Sequence, residues 1–248
     1  MLATLALSFA LIASPPQNTG SALVSKMLKY YSAAKTMTGT ITYTATDGAG
    51  KVELVTTLQY ERPSKLYIRQ TKDKPHPLQW LVLSDGDKFS YGHNPDTFDV
   101  QRDRLTEAVR QVGMSYDIGS IYAIAAPEGL GDRSVPLDVA IGRHEDLQHD
   151  VLMWMTVNLE GKTTVNGVTA NLIKGKWRPY GEAATDPNEA PGRYEMVIGD
   201  DGRLLRYTVM RWIARDPKNP TDAVDLRENW DVDLTVNGTP TESLFKGK

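Results

Sequence analysis

Val52-Glu53-Leu54-Val55-Thr56-Thr57-Leu58-Gln59-Tyr60-Glu61-Arg62-Pro63-Ser64-Lys65-Leu66-Tyr67-Ile68-Arg69 is the stretch that decides the fold. Val52, Leu54, Thr56, Leu58 and Tyr60 alternate with Glu53, Val55, Thr57, Gln59 and Glu61, the period of two expected of a half-buried strand. Pro63 carries no N–H and so marks a bend between two strands. Beyond it, Leu66 and Ile68 share one face, and Tyr67 and Arg69 share the other. Upstream, Ile41, Tyr43 and Ala45 alternate with Thr40, Thr42 and Thr44. Asp47-Gly48-Ala49-Gly50 joins the two runs, which reads as a β-hairpin.

The same pattern extends outward. Leu78–Leu83 and Lys88–Gly92 flank Ser84-Asp85-Gly86-Asp87 as a second hairpin, with a short strand near Phe98–Gln101. Ahead of the first strand, Leu23, Val24, Met27, Leu28, Tyr31 and Ala34 recur at helical spacing, predicting an amphipathic helix over Ser21–Lys35. Helix-compatible patterns at Leu105–Val112, Ile118–Ala126 and Leu137–Gln148 predict a central helical insertion. Strands resume at Leu152–Leu159, with Gly161 and Gly167 bounding a turn to Val168–Trp177. A loop over Arg178–Gly192 with three prolines follows. Arg203–Ala214 pairs with Arg193–Ile198 through Gly199-Asp200-Asp201-Gly202, and Ala223–Val236 is the last strand. The count is about eleven strands, with boundaries good to a few residues. The class is mainly β (α+β), in one domain over 21–248.

Two strands are apolar on both faces. Leu152 and Trp154 oppose Met153, Met155, Val157 and Leu159; Leu205, Tyr207, Val209 and Ile213 oppose Leu204, Met210 and Trp212. An antiparallel sheet normally keeps one wet face, so two apolar faces call for two covers. A curved sheet enclosing a helix or an apolar cavity meets the need, and so does a plain two-layer core.

Composition narrows the function. Across 248 residues, 28 Lys+Arg face 31 Asp+Glu, a net charge of −3. A nucleic-acid binder carries a basic surplus. There is no cysteine, which excludes disulfides, thiolate chemistry and a lipid anchor on an N-terminal cysteine. Leu2–Ala13 is an apolar run of 12 residues, short of the roughly 20 that span a bilayer as a helix. With Ala13, Ser14 and Pro15-Pro16 behind it, it reads as an export signal over 1–20, although no Lys or Arg precedes Lys26. A buried N-terminal helix is the alternative. No G-x-S-x-G elbow, Walker loop or dinucleotide glycine pattern occurs. In His144-Glu145-Asp146-Leu147-Gln148-His149 the two histidines would stand about 140° apart on a helix and cannot share an ion. No catalytic residue, cofactor or metal site is assigned.

Read in order, these pieces resemble a known family. The Tyr30-Tyr31 helix and the threonine-rich strand lead to Arg62-Pro63-Ser64-Lys65-Leu66 and then to Ser84-Asp85-Gly86-Asp87-Lys88-Phe89-Ser90-Tyr91. Val165-Asn166-Gly167-Val168, Val236-Asn237-Gly238 and Leu244-Phe245 complete the set. Together they are similar to the LolA/LolB-like superfamily of periplasmic lipoprotein carriers, over about Ser21–Phe245. The resemblance implies an incomplete antiparallel β-barrel closed by helices around a cavity for acyl chains. It implies that Arg62 controls cavity opening and release, and it puts Leu66 where the carriers hold an aromatic residue. The ligand-binding set that follows is Arg62, Leu66, Ile68, Leu58, Tyr60, Trp80, Phe89, Tyr91, Met153, Met155 and Trp212. The expected partners are an acylated lipoprotein or other lipid-like ligand, a membrane donor complex and an outer-membrane acceptor, with the protein itself an exported monomer. Two other functions fit less of the sequence: an envelope-stress sensor domain of the same fold, and a metal-dependent hydrolase built on His144 and His149.

Overall fold

The computed structural model describes residues 19–47, 50–72, 78–93, 117–129, 134–142, 157–176, 192–216 and 219–246. Within them, ten strands form one antiparallel sheet. Five run consecutively: β1 (Thr36–Asp47), β2 (Gly50–Glu61), β3 (Lys65–Lys72), β4 (Leu78–Asp85) and β5 (Phe89–Gly92). The other five are β6 (Asn158–Val165), β7 (Val168–Lys176), β8 (Arg193–Ile198), β9 (Leu204–Asp216) and β10 (Asn219–Val236). The strand order is β5-β4-β3-β2-β1-β10-β9-β8-β7-β6, so two meanders join through β1 and β10 and leave β5 and β6 as the two edges. The result is an open, incomplete barrel.

The joint between the meanders depends on a close backbone approach. Gly39 sits opposite Leu234 with φ of 144°, and a Cβ there would lie 2.1 Å from the Asp233 carbonyl oxygen. Only glycine fits. At the β6–β7 hairpin, Asn166 and Gly167 both take positive φ, 49° and 78°, which matches the twist of the flanking strands in a two-residue loop.

One face of the sheet carries the main core. Met37 and Ile41, Leu54, Leu58 and Tyr60, Leu66 and Ile68, Trp80 and Val82, and Phe89 belong to a single buried cluster. From the second meander, Ile173, Tyr194, Met196, Ile198, Tyr207, Val209, Trp230, Val232 and Leu234 join it. Three helices cover this face. In α1 (Thr19–Ser32) the buried residues Val24, Met27, Leu28 and Tyr31 follow the i, i+3, i+4, i+7 rule. In α2 (Ile118–Ala125) the Asp117 carboxylate accepts from the Ser120 N–H at 2.9 Å, and Ile118, Ile121, Tyr122 and Ala125 are buried. In α3 (Val135–Ile141) Ser134 caps the start, and Gly142 closes the end in the left-handed conformation, φ 85°. Each large aliphatic side chain so covered contributes about 1.5–3 kcal/mol. The opposite face holds only small apolar clusters: Tyr67 and Leu83 under Phe245 of α4 (Glu242–Phe245), and Val165, Ala170 and Val197.

Several expectations are revised. Ten strands are present among the described residues; Phe98–Gln101 and residues 151–156 lie outside them. Of the strand expected at Leu152–Leu159, residues 152–156 lie outside the described residues; Asn158 and Leu159 open β6, Asn158–Val165, with Gly161 inside it beside a register shift, and the turn falls at Asn166-Gly167. Helix α1 starts at Thr19, two residues before Ser21, and ends at Ser32. The helix starting near Leu137 stops at Ile141. In β9, Leu205 does not share a face with Tyr207 and Val209. The β8–β9 register skips Leu205, pairing Ile198 with Leu204 and Val197 with Arg206. That bulge sends Leu204 into the main core and Leu205 to the outer cluster.

Candidate functional site

Eight of the sequence-derived site residues come together on the first meander. Leu58 pairs with Ile68, Tyr60 with Leu66, Ser84 with Phe89, and Val82 with both Ile68 and Tyr91. Leu58, Tyr60, Leu66, Ile68 and Phe89 are wholly buried, Trp80 nearly so, and Tyr91 packs against them half-buried. The alternation of β2 through β5 produces this patch, because consecutive antiparallel strands keep their apolar sets on one side.

Arg62 stands at the end of the patch, where β2 meets two helix ends. Its Nε donates to the Ala34 carbonyl at 3.0 Å, just past α1, and its Nη2 donates to the Ile141 carbonyl, the last of α3, at 2.8 Å. Carbonyls at helix C-termini lack intrahelical partners and carry partial negative charge, so a guanidinium suits them. Tyr60 adds a bond from its hydroxyl to the Ala140 carbonyl at 3.1 Å, and the Arg62 guanidinium lies 5.2 Å from the Tyr60 ring centroid. The backbone N–H of Ile118, at the start of α2, donates to the Pro63 carbonyl at 2.8 Å. Polar fastenings of all three covering helices thus converge on the Tyr60–Pro63 segment.

Three expected residues remain. Met153 and Met155 lie outside the described residues, and Trp212 sits on β9 of the other meander, in register with Asp225.

The second meander contributes a site that the sequence reading did not assign. Trp230 stacks between Tyr43 at 4.9 Å and Tyr207 at 5.4 Å between ring centroids, with Tyr194 6.5 Å beyond Tyr207. Beside them the Glu228 side chain is 1% exposed. One of its oxygens accepts from the Tyr43 hydroxyl at 3.0 Å; the other accepts from Nε and Nη2 of Arg211. The Tyr207 hydroxyl on β9 and the Trp80 Nε1 on β4 are buried with no hydrogen-bond partner among the described residues. Burial pushes the phenols of Tyr31 and Tyr207 well up, and Tyr194 up to about 12. The sequence did hold a signal: Glu228 shares the period-two set of Trp230, Val232 and Leu234, a charge inside an apolar row.

Among the described residues no group of three or more His, Cys, Asp or Glu side chains is placed to hold a metal ion. The His144–His149 stretch is outside them. No described helix is long and apolar enough to cross a membrane.

An open antiparallel half-barrel with helices pinned over its apolar face is the class this geometry defines. Solved structures similar to the chain include the Pseudomonas aeruginosa MucA/MucB complex, at 12% identity and a TM-score of 0.46 over 92% of this chain and 60% of that one. Mycobacterium tuberculosis lipoprotein LppX is similar at 11% identity and a TM-score of 0.41, over 88% of this chain and 99% of that one. A LolA superfamily protein from Nitrosomonas europaea is similar at 8% identity and a TM-score of 0.31, over 91% and 96%. The chain therefore spans about three fifths of the MucA/MucB-complex chain it matches. No protein-family model and no curated protein matches the sequence.

Proposed function

We propose that the protein is an exported carrier that holds the acyl chains of a lipoprotein or another lipid-like molecule between its apolar sheet face and the covering helices. The observation that supports this is the fastening: an apolar face spanning both meanders lies under helices whose polar ties gather at Tyr60, Arg62 and Pro63. The α2 and α3 part of the cover is tied at this edge and can swing away from that face without breaking the sheet, while α1 is also held to the second meander by the Leu204 N–H to Tyr31 hydroxyl bond. Burying acyl methylenes at about 0.8 kcal/mol each makes a chain of a dozen carbons a strong ligand with no polar code. In this reading Arg62 is the latch, and the ligand passes from a membrane donor to an acceptor.

In this proposal the leader is cleaved to leave a mature start between about Ser14 and Ser21.

The test is native mass spectrometry of protein purified from a membrane-containing host, paired with titration of a fluorescent fatty-acyl probe. Co-purifying lipid and probe binding at micromolar concentration are expected, and Arg62→Leu, which frees the cover from two of its ties, should still bind the probe but release it faster. Absence of lipid and of probe binding refutes the carrier reading. A stoichiometric protein partner in its place would favour the sensor alternative.

A further inference from the structure

Tyr207 has an environment that an ordinary packed core does not need. Its hydroxyl is buried and unpartnered among the described residues, a state that costs free energy unless something else completes it. Tyr207 pairs with Trp230 across the strands, the pair of Val209 with Glu228 stands two residues along, Arg211 bonds Glu228, and the Tyr194 ring lies 6.5 Å from that of Tyr207. Glu228 and Arg211 satisfy each other, with Tyr43 on the remaining carboxylate oxygen, so the pair is neutral overall. A phosphate brought in here would face the buried Glu228 carboxylate, and an ammonium would face the Arg211 guanidinium. The Tyr207 phenol itself stays protonated, because burial raises its pKa, and its O–H is free to donate. The aromatic rings of Tyr43, Trp230 and Tyr194 supply apolar walls with slightly polar faces.

We propose that the Tyr207 hydroxyl, beside the Glu228–Arg211 pair, donates to an uncharged head-group oxygen of the carried molecule: an ester carbonyl or hydroxyl of an acylglycerol type. This rests on the carrier reading and adds the polarity of the head. The other orphan, Trp80 Nε1 on β4, stands five strand spacings from β9, about 24 Å around the sheet, so it belongs to a separate part of the face.

Tyr207→Phe removes only the hydroxyl and keeps the ring stacks. Three probes of equal chain length compete against a fluorescent acyl reporter: 1-monomyristoylglycerol, tetradecane and 1-myristoyl-lysophosphatidate. Wild type should prefer monomyristoylglycerol to lysophosphatidate, and Tyr207→Phe should weaken monomyristoylglycerol roughly fivefold, the size of one neutral hydrogen bond. Tetradecane should bind both proteins equally, and the lipid-free variant should melt no lower than wild type. Equal weakening of tetradecane, tighter binding of lysophosphatidate, or a lower melting temperature of the lipid-free variant overturns the proposal while leaving the carrier reading intact. Failure of every probe to bind wild type overturns the carrier reading, and this one with it.

Discussion

Arg62→Leu is the perturbation that tests how the helices are held. The substitution keeps an apolar stem against Tyr60 and removes the two charge-assisted bonds to the carbonyls of Ala34 and Ile141. A hydrogen bond to a charged group is worth about 1.5–3 kcal/mol net when buried. Arg62 is half-buried, so water replaces part of each bond, and a total loss of about 2–3 kcal/mol is the working figure. At about 2–4 °C per kcal/mol for a chain of this size, the melting temperature should fall by about 5–10 °C. The loss should be local. The Tyr60 bond to Ala140 and the backbone bond from the Arg62 N–H to the Lys35 carbonyl survive the substitution, so α3 should loosen without the sheet melting. Hydrogen exchange reads this directly: the amides of Asp138 and Gly142, bonded within and at the end of α3, should lose protection by about tenfold, equivalent to about 1.4 kcal/mol. Arg62→Lys, which can reach one carbonyl but not both, should recover about half of the loss. A cost below about 0.5 kcal/mol, no more than a typical surface change, with unaltered protection at Asp138 and Gly142, would refute the latch. So would protection lost evenly across β6–β10.

Three further outcomes follow from the packing. Gly39→Ala drives a Cβ to 2.1 Å from the Asp233 carbonyl at a φ that side chains rarely adopt; it should cost several kcal/mol or prevent folding, as read by yield and urea unfolding. Tyr31→Phe leaves the buried Leu204 N–H without the phenol oxygen that accepts it at 3.1 Å, and should cost about 1–3 kcal/mol in the same assay. The buried phenols set an alkaline limit. Their folded pKa values lie above the unfolded value near 10, so the unfolded chain loses protons first, and stability present below about pH 10 falls as pH rises. Tyr194 stops adding to that fall near its folded value of about 12, while Tyr31 and Tyr207 continue. Phenolate absorbance from these groups should appear together with unfolding, and its appearance in a still-folded protein would contradict their burial.

Much of the sheet is legible in the sequence because β2–β5 are consecutive, each alternates, and each turn carries its own glycine or proline chemistry. The errors have physical causes. β6 is an edge strand among the described residues with Asn158 to Lys162 exposed, so it has no reason to be apolar, and apolar alternation does not mark where it ends. Strict alternation puts Leu205 with Tyr207 and Val209, and a bulge breaks that alternation without any change in composition. The β1–β10 pairing that joins the meanders links residues as far apart as Met37 and Val236, and no local pattern encodes a contact at that separation.

The same distinction explains why one half of the candidate site was found and the other was not. Leu58, Tyr60, Arg62, Leu66 and Ile68 fall within eleven residues of chain, so a motif can hold them together. The cluster around Tyr207 is assembled from Tyr43, Tyr194, Arg211, Glu228 and Trp230, on β1, β8, β9 and β10, and exists only after the meanders dock. What survives in the sequence is the misfit at Glu228: a carboxylate in the inward row of a strand whose neighbours are Trp230, Val232 and Leu234. A buried charge pair is a weak source of stability, often no better than apolar residues of the same volume. Its presence where Tyr207 already leaves a donor unmatched therefore argues for polarity retained for a ligand over polarity retained for the fold. Replacing Glu228 and Arg211 together by apolar residues should leave stability within a few kcal/mol of wild type while removing the discrimination against a charged head group and keeping the preference for the neutral ester that Tyr207 supplies.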